Sequence, residues 1–225
     1  MVQDPQAMDA NPLPTVICVL RSGGIYGASD VEKLGNQVAR HLSLPHEFVC
    51  LSDVEVSCKR IALQHDWSGW WSKVELFRPG VIQGPTVYMD LDNVILGDFS
   101  DIFGCGHDFA MMQNLNRPTY ASSAVMYFSG PVHLDVYHKF VLNPQYWVEY
   151  HQANKDGPYL GDQAFIWSSL GKNVPLLGTK QFGIRSYRKD VLGRGVPPDG
   201  TKIVCFGGVY KPRNVKDEWL KAAWR

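Results

Sequence analysis

Thr86-Val-Tyr-Met-Asp90-Leu-Asp92-Asn93 decides the reading of this chain. Four apolar or β-prone residues run into two carboxylates one residue apart. A short continuous apolar run bounded by polar residues is the mark of a strand buried on both faces, as in a mainly parallel sheet. Side chains two apart on a strand share a face, so Asp90 and Asp92 are expected to address one point. They also stand where that strand ends, and open α/β sheets bind ligands outside the carboxyl ends of their strands. Two converging carboxylates repel unless one is protonated or a cation lies between them. All-oxygen ligation suits Mg²⁺ or Mn²⁺. The competing reading is a turn or a helix cap, which uses the same residues for local hydrogen bonds.

The surrounding sequence reads as alternating strands and helices. Thr15–Leu20 (TVICVL) is a second buried strand, followed by the glycine-containing loop Arg21-Ser-Gly-Gly-Ile-Tyr26. Ser29-Asp30 is a cap candidate for a helix over 30–42, with Leu34, Val38 and Leu42 on one face. Glu47–Leu51 reads as the next strand, ending at Ser52-Asp53, so the opening is a βαβ unit with a right-handed crossover. Residues 71–78 suit a short helix that stops before Pro79. Strands are expected at Phe109–Met112, Ala124–Phe128 and Lys202–Phe206. Helices are expected at His133–Leu142, Trp147–Gln152, Asp162–Leu170 and 216–224. The pattern predicts an α/β fold with a mainly parallel sheet flanked by helices. Residues 1–14, with three prolines, read as a flexible leader and 15–225 as a single domain.

Composition narrows the function classes. The 225 residues are 45% hydrophobic and 20% charged, ordinary for a globular protein. Lys+Arg and Asp+Glu are both 22, and a zero net charge argues against a nucleic-acid binder. No run of 18 apolar residues offers a transmembrane segment. The five cysteines, 18, 50, 58, 105 and 205, are odd in number and form no CxxC pair. That suits a reducing compartment, so a cytoplasmic location is expected. The seven histidines show no metal-ligand spacing.

Asp90-x-Asp92-x-Val resembles the opening motif of haloacid-dehalogenase phosphatases, where the first Asp is a nucleophile and the second a general acid/base. That motif normally lies near the chain start, yet 89 residues precede it here. The expected downstream GDxxxD also lacks its second Asp after Gly161-Asp162.

A larger set of segments resembles another family. In order these are Trp70-Trp71-Ser-Lys73-Val-Glu75-Leu-Phe77, the strand into Asp90-Leu-Asp92, Ser122-Ser123-Ala-Val-Met126, Gly161-Asp162-Gln163-Ala-Phe165, and Cys205-Phe206-Gly207-Gly208-x-x-Lys211-Pro212. Together they resemble GT-A glycosyltransferases of the family 8 kind, relatives of glycogenin and of lipopolysaccharide galactosyltransferases, over roughly residues 15–213. The resemblance implies transfer of a hexose from a nucleotide-sugar, a UDP-sugar by that family's habit, to a hydroxyl acceptor (glycan, lipid or protein) with Mn²⁺ or Mg²⁺ assistance. It implies that Asp90 and Asp92 bind metal and diphosphate, that Asp162 and Gln163 face the transferred sugar, and that Lys211 contacts the diphosphate. Arg21, Asp53 and Lys73 are further candidates for holding the nucleotide and its phosphates. The family's closing motif usually carries a His, where this chain has Cys205 or, in a second alignment, Gly207. A thiol is a poorer Mn²⁺ ligand than imidazole. That departure keeps open a protein that binds a nucleotide-sugar without turning it over. Trp67, Trp70 and Trp71 are candidates for sugar stacking, although core packing is the expected role of two of the three.

Overall fold

A computed structural model describes residues 12–153 and 161–225. The run Thr15–Leu20 forms β1, and α1 follows at Ala28–His41. Val31, Leu34 and Val38 form the helix stripe that enters the core, as the spacing predicts. The cap differs from expectation. Gly27 is the N-cap, and the Asp30 carboxylate accepts a hydrogen bond from its N–H at 2.8 Å. Gly35 lies so close to the Phe48 ring that a Cβ there would stand 2.8 Å from it, so a side chain larger than hydrogen would wedge α1 off the sheet.

The chain then forms β2 (Glu47–Ser52), β3 (Lys59–Ala62), a 3₁₀ helix at Gly69–Phe77, β4 (Thr86–Met89) and β5 (Asn93–Ile95). β6 (Phe109–Gln113) and β7 (Ala121–Phe128) precede α2 (Leu134–Leu142), α3 (Pro144–Ala153) and α4 (Gly161–Ser169). Last come β8 (Leu176–Leu177), β9 (Ile184–Ser186), β10 (Ile203–Cys205) and α5 (Glu218–Ala223). The expected strands and helices are all present. β3, β5, β8 and β9 are additions, and each is only two to four residues long. The expected leader falls largely in residues 1–11, outside the described residues.

Seven strands make the main sheet in the order β3-β2-β1-β4-β7-β6-β8. β1 pairs in parallel with both β2 and β4, so the strand order reverses between β1 and β4. That reversal opens the crevice where α/β sheets take ligands. β7 runs antiparallel to β4, with Met89 opposite Val125, which brings the start of β7 to the end of β4. A second sheet, β5-β10-β9, sets Cys205 opposite Asn93 and so returns the closing segment to the same place.

The main sheet is covered on both faces. One core holds α1 against Val16, Cys18, Leu20 and Met89. The other packs Trp71, Phe77, Phe140 and Phe165 over Ile17, Tyr88 and Met126. Burial on both faces is why these strands read as continuous apolar runs. None of the described helices is long and apolar enough to cross a membrane.

Candidate active site

β4 ends one residue before the first carboxylate. The expectation that Asp90 and Asp92 continue the strand and share a face by its two-residue period is corrected by the structure. Residues 90–93 form a turn, with the Asn93 N–H donating to the Asp90 carbonyl at 3.1 Å. β7 pins this turn. Its Ala124 carbonyl accepts from the Asp90 N–H at 3.0 Å and from the Asn93 side-chain amide at 2.9 Å. Both carboxylates still serve one locality, because the Asp90 charge is felt at Asp92.

Asp92 is buried, and its pKa lies above the ordinary carboxylate value. Desolvation is the main cause and the Asp90 charge the next; Lys211 and Tyr26 oppose them. Lys211 Nζ meets Asp92 Oδ2 at 2.7 Å, and the Tyr26 hydroxyl donates to the same oxygen at 2.8 Å. Asp90 Oδ1 accepts from the Tyr88 hydroxyl and pairs with Lys73 Nζ at 2.9 Å. Lys73 Nζ also meets Asp162 Oδ2 at 3.0 Å and donates to Ser123 Oγ at 3.1 Å. The Ser123 hydroxyl in turn donates to Asp162 Oδ2 at 2.9 Å. Burial alone would push the Lys73 ammonium down, but the Asp162 and Asp90 charges outweigh it and hold Lys73 above its ordinary value. Gln163 Oε1 accepts from the Ser123 N–H at 3.2 Å.

Of the eight residues singled out by sequence, Asp92 and Lys211 form an ion pair that feels the Asp90 charge, and beside that pair Lys73, Asp90 and Asp162 form one bonded network. Gln163 joins it through Ser123. The segments that carry them lie far apart in the chain, and the antiparallel pairing of β4 with β7 supplies the link. Asp162 lies in the first turn of α4, but its carboxylate is spent on Lys73 and Ser123 rather than on capping.

Arg21 and Asp53 form a separate group. Arg21 pairs with Asp53 at 3.2 Å and with Asp66, and Asp53 also accepts from the Ser22 N–H at 2.8 Å and from its hydroxyl. Burial would raise the Asp53 pKa, but the Ser22 hydrogen bonds and the Arg21 charge outweigh it and hold it low. Among the described residues no hydrogen bond or ion pair joins this group to the Asp90–Asp92 network.

Sequence reasoning gave no role to Tyr26, Tyr88, Ser123 or Arg213. Tyr88 had a signal, since a tyrosine inside a buried strand needs a partner for its hydroxyl. Tyr26 and Ser123 stood within quoted segments with nothing local to mark them. Arg213 bonds Asp30 at 2.6 Å and lies 5.4 Å from the Tyr26 ring centroid, with Lys211 Nζ at 5.8 Å from the same ring.

The donor set bears on metal binding. Asp90 Oδ2 and Asp92 Oδ1 accept no hydrogen bond among the described residues. Cys205 is buried beside the pair, and its thiol is pushed well above its ordinary value by desolvation and then by the Asp92 and Asp90 charges. A thiol so held stays protonated, which leaves it a poor ligand. Among the described residues no group of three His, Cys, Asp or Glu side chains gathers to hold a metal. Three acids (Asp90, Asp92, Asp162) face two lysines (Lys73, Lys211), a local excess of one negative charge. These residues fit a hard divalent cation that takes two carboxylate oxygens and completes its shell from water and a ligand's phosphates.

No protein-family model matches the chain, and no curated protein matches it. Solved structures do match in fold. The glycosyltransferase GlyE of Streptococcus pneumoniae TIGR4 superposes with a TM-score of 0.68 at 15% identity, over 94% of this chain and 60% of that one. The galactosyltransferase LgtC, solved with donor and acceptor sugar analogs, gives 0.64 at 12% identity, over 92% of this chain and 93% of that one. The bifunctional glycosyltransferase WbbM gives 0.55 at 14% identity, over 92% and 48%. This chain thus spans about three fifths of the GlyE chain it matches. The fold is GT-A, of the LgtC type, as the sequence resemblance implied.

Proposed function

We propose that the protein transfers a hexose from a nucleotide-sugar, most naturally a UDP-sugar, to a hydroxyl acceptor. The observation that carries this reading is the chain of ion pairs Asp90–Lys73–Asp162, which couples the metal-type turn after β4 to the Asp-Gln pair that opens α4. A reaction at a sugar–diphosphate bond needs both ends of such a chain, one for the departing phosphates and one for the sugar.

In this reading Asp90 and Asp92 hold Mn²⁺ or Mg²⁺. The ion supplies charge stabilisation to the diphosphate as the glycosidic bond breaks. Lys211 sits on Asp92 and is placed to exchange that carboxylate for a phosphate oxygen. Lys73 keeps Asp90 and Asp162 in register and lowers the cost of burying them. Gln163 accepts from Ser123 through its oxygen, and its amide hydrogens make no hydrogen bond among the described residues, so they can reach a sugar hydroxyl. An active-site mutant of LgtC is a Gln-to-Glu change, so that protein too has a glutamine in its active site. Arg21 and Asp53, at the ends of β1 and β2, are assigned to the nucleoside side of the crevice.

The replacement of the family's usual His by Cys205 favours one alternative, a protein that binds the nucleotide-sugar without turning it over. A thermal-shift series with UDP, GDP and ADP, each with and without Mn²⁺, tests the binding half of the proposal. UDP should raise the melting temperature only with metal, and Asp92→Ala should erase the effect. Equal shifts without metal would remove the metal bridge from the reading. Release of free hexose from UDP-glucose or UDP-galactose then separates the enzyme from the binder.

A further inference from the structure

The 3₁₀ helix at Gly69–Phe77 has three residues per turn, so side chains three apart eclipse one another. That period sorts its residues into three faces. Trp71, Val74 and Phe77 are buried in the core. Glu75 and Arg78 pair with each other at 3.2 Å. The remaining face carries Trp70 and, one turn on, Lys73, whose ammonium holds Asp90 and Asp162. Trp71 is 2% exposed and Trp70 is 57% exposed. Trp67 is half-buried, stacked on His65 with ring centroids 4.1 Å apart and edge-on to Phe140.

Trp70 is exposed, yet it is seated. Its indole lies directly against Gly161, where an added Cβ would clash with the ring nitrogen. Gly161 has φ +72°, the left-handed region that favours glycine. The next two residues are Asp162 and Gln163. A large aromatic face is therefore braced from below, open above, and one residue from the pair assigned to the transferred sugar. An indole seated in this way offers a flat apolar face that the C–H face of a sugar ring can cover.

We propose that Trp70 is a stacking platform for the acceptor and that the acceptor is a saccharide, whose pyranose ring lays its C–H face on the indole. The ring thereby presents a hydroxyl toward the site that Asp162 and Gln163 border. This inference rests on the glycosyl-transfer reading above and specifies its acceptor. In that reading the donor is anchored by its diphosphate at Asp90 and Asp92, whose bonded partners are Lys73, Tyr88, Lys211 and Tyr26 and do not include Trp70. The platform is accordingly assigned to the acceptor, and a loss confined to the donor KM would assign it to the donor hexose instead.

The test compares two fates of one donor. Wild-type protein is given UDP-glucose or UDP-galactose with Mn²⁺, alone and with methyl glycosides of glucose, galactose and N-acetylglucosamine and with lactose. Both hydrolysis and transfer are measured, the latter by mass of the product. The expected result is transfer to at least one of these saccharides. Trp70→Ala should raise the KM for that acceptor about tenfold or more, lowering the ratio of transfer to hydrolysis by the same factor. Trp70→Tyr, which keeps a flat ring, should recover most of it. Hydrolysis without transfer to any saccharide overturns the acceptor assignment and leaves the glycosyl-transfer reading standing. So does a Trp70→Ala variant whose transfer and hydrolysis fall together, or whose loss appears in the donor KM. Absence of both hydrolysis and transfer in the wild type overturns that reading and this inference with it.

Discussion

Lys73 is the residue on which most of the site's electrostatics rests. Its ammonium, buried with Asp162 and beside Asp90, offsets charges that would otherwise stand in a poorly solvated place. Removing one member of a buried ionic group costs about 3–5 kcal/mol, because the partners are left uncompensated. Lys73→Met is therefore expected to lower stability by about 3 kcal/mol, read from the midpoint of urea unfolding, with Asp162→Asn in the same chain recovering part of the loss. Asp92 should behave in the opposite way. Its raised pKa means that burial disfavours its charged form. Asp92→Asn keeps the shape and removes the charge, while Lys211 can turn to water. The variant is expected to melt at or above the wild-type temperature without ligands, and to lose the Mn²⁺-dependent response to UDP. A stabilised protein that no longer binds is the pattern of a site held at a cost to folding.

Among the elements, α1 depends on close approach. Gly35→Ala drives a methyl group into the Phe48 ring, at 2.8 Å before relaxation. Overpacking of this kind costs about 1–3 kcal/mol, which outweighs the better helix propensity of alanine, about 1 kcal/mol. A net loss in the urea midpoint is expected; a gain would mean that Phe48 moves freely. The 3₁₀ helix at Gly69–Phe77 shows how much a change of period alters. Residues 71–78 read as a short helix, and the element is present as a 3₁₀ helix whose threefold period eclipses Trp70 with Lys73 while Trp71 is buried. In an α-helix residues three apart also share a side but are offset from one another, whereas the 3₁₀ period eclipses them.

For the molecule as a whole, the acid limit of stability involves Asp53, which ties the loop after β1 to the end of β2. Its folded pKa lies below the ordinary 3.8. A carboxyl with a depressed folded pKa contributes stability that is complete above the unfolded value and is lost as pH falls through the folded value. Wild-type stability should accordingly decline below pH 4. Asp53→Asn should lose about 1.5–3 kcal/mol near neutrality, the worth of a hydrogen bond to a charged group. The gap between the two proteins should close in acid, measured by urea unfolding from pH 7 to pH 3. A constant gap would remove Asp53 from the acid limb. Asp92 works against this trend, since its raised pKa favours the folded chain at low pH.

The main strands and helices were legible because buried strands and amphipathic helices write their burial directly into apolar spacing. Thr15–Leu20 and the stripe of α1 needed no tertiary information. The short strands β3, β5, β8 and β9 were not, since two to four residues carry no period and pair only because a neighbouring strand is already there. The chemistry-bearing residues were visible as types. Carboxylates ending a strand, and a lysine among tryptophans, can be seen one segment at a time. What each of them touches belongs to the tertiary structure. The antiparallel pairing of β7 with β4 brings Ala124 to Asp90, the second sheet returns Lys211 to Asp92, and the packing of α4 sets Gly161 beneath Trp70. Those contacts join residues dozens of positions apart. Apolar spacing reports which faces of an element are buried; which polar groups meet is set by how the elements pack.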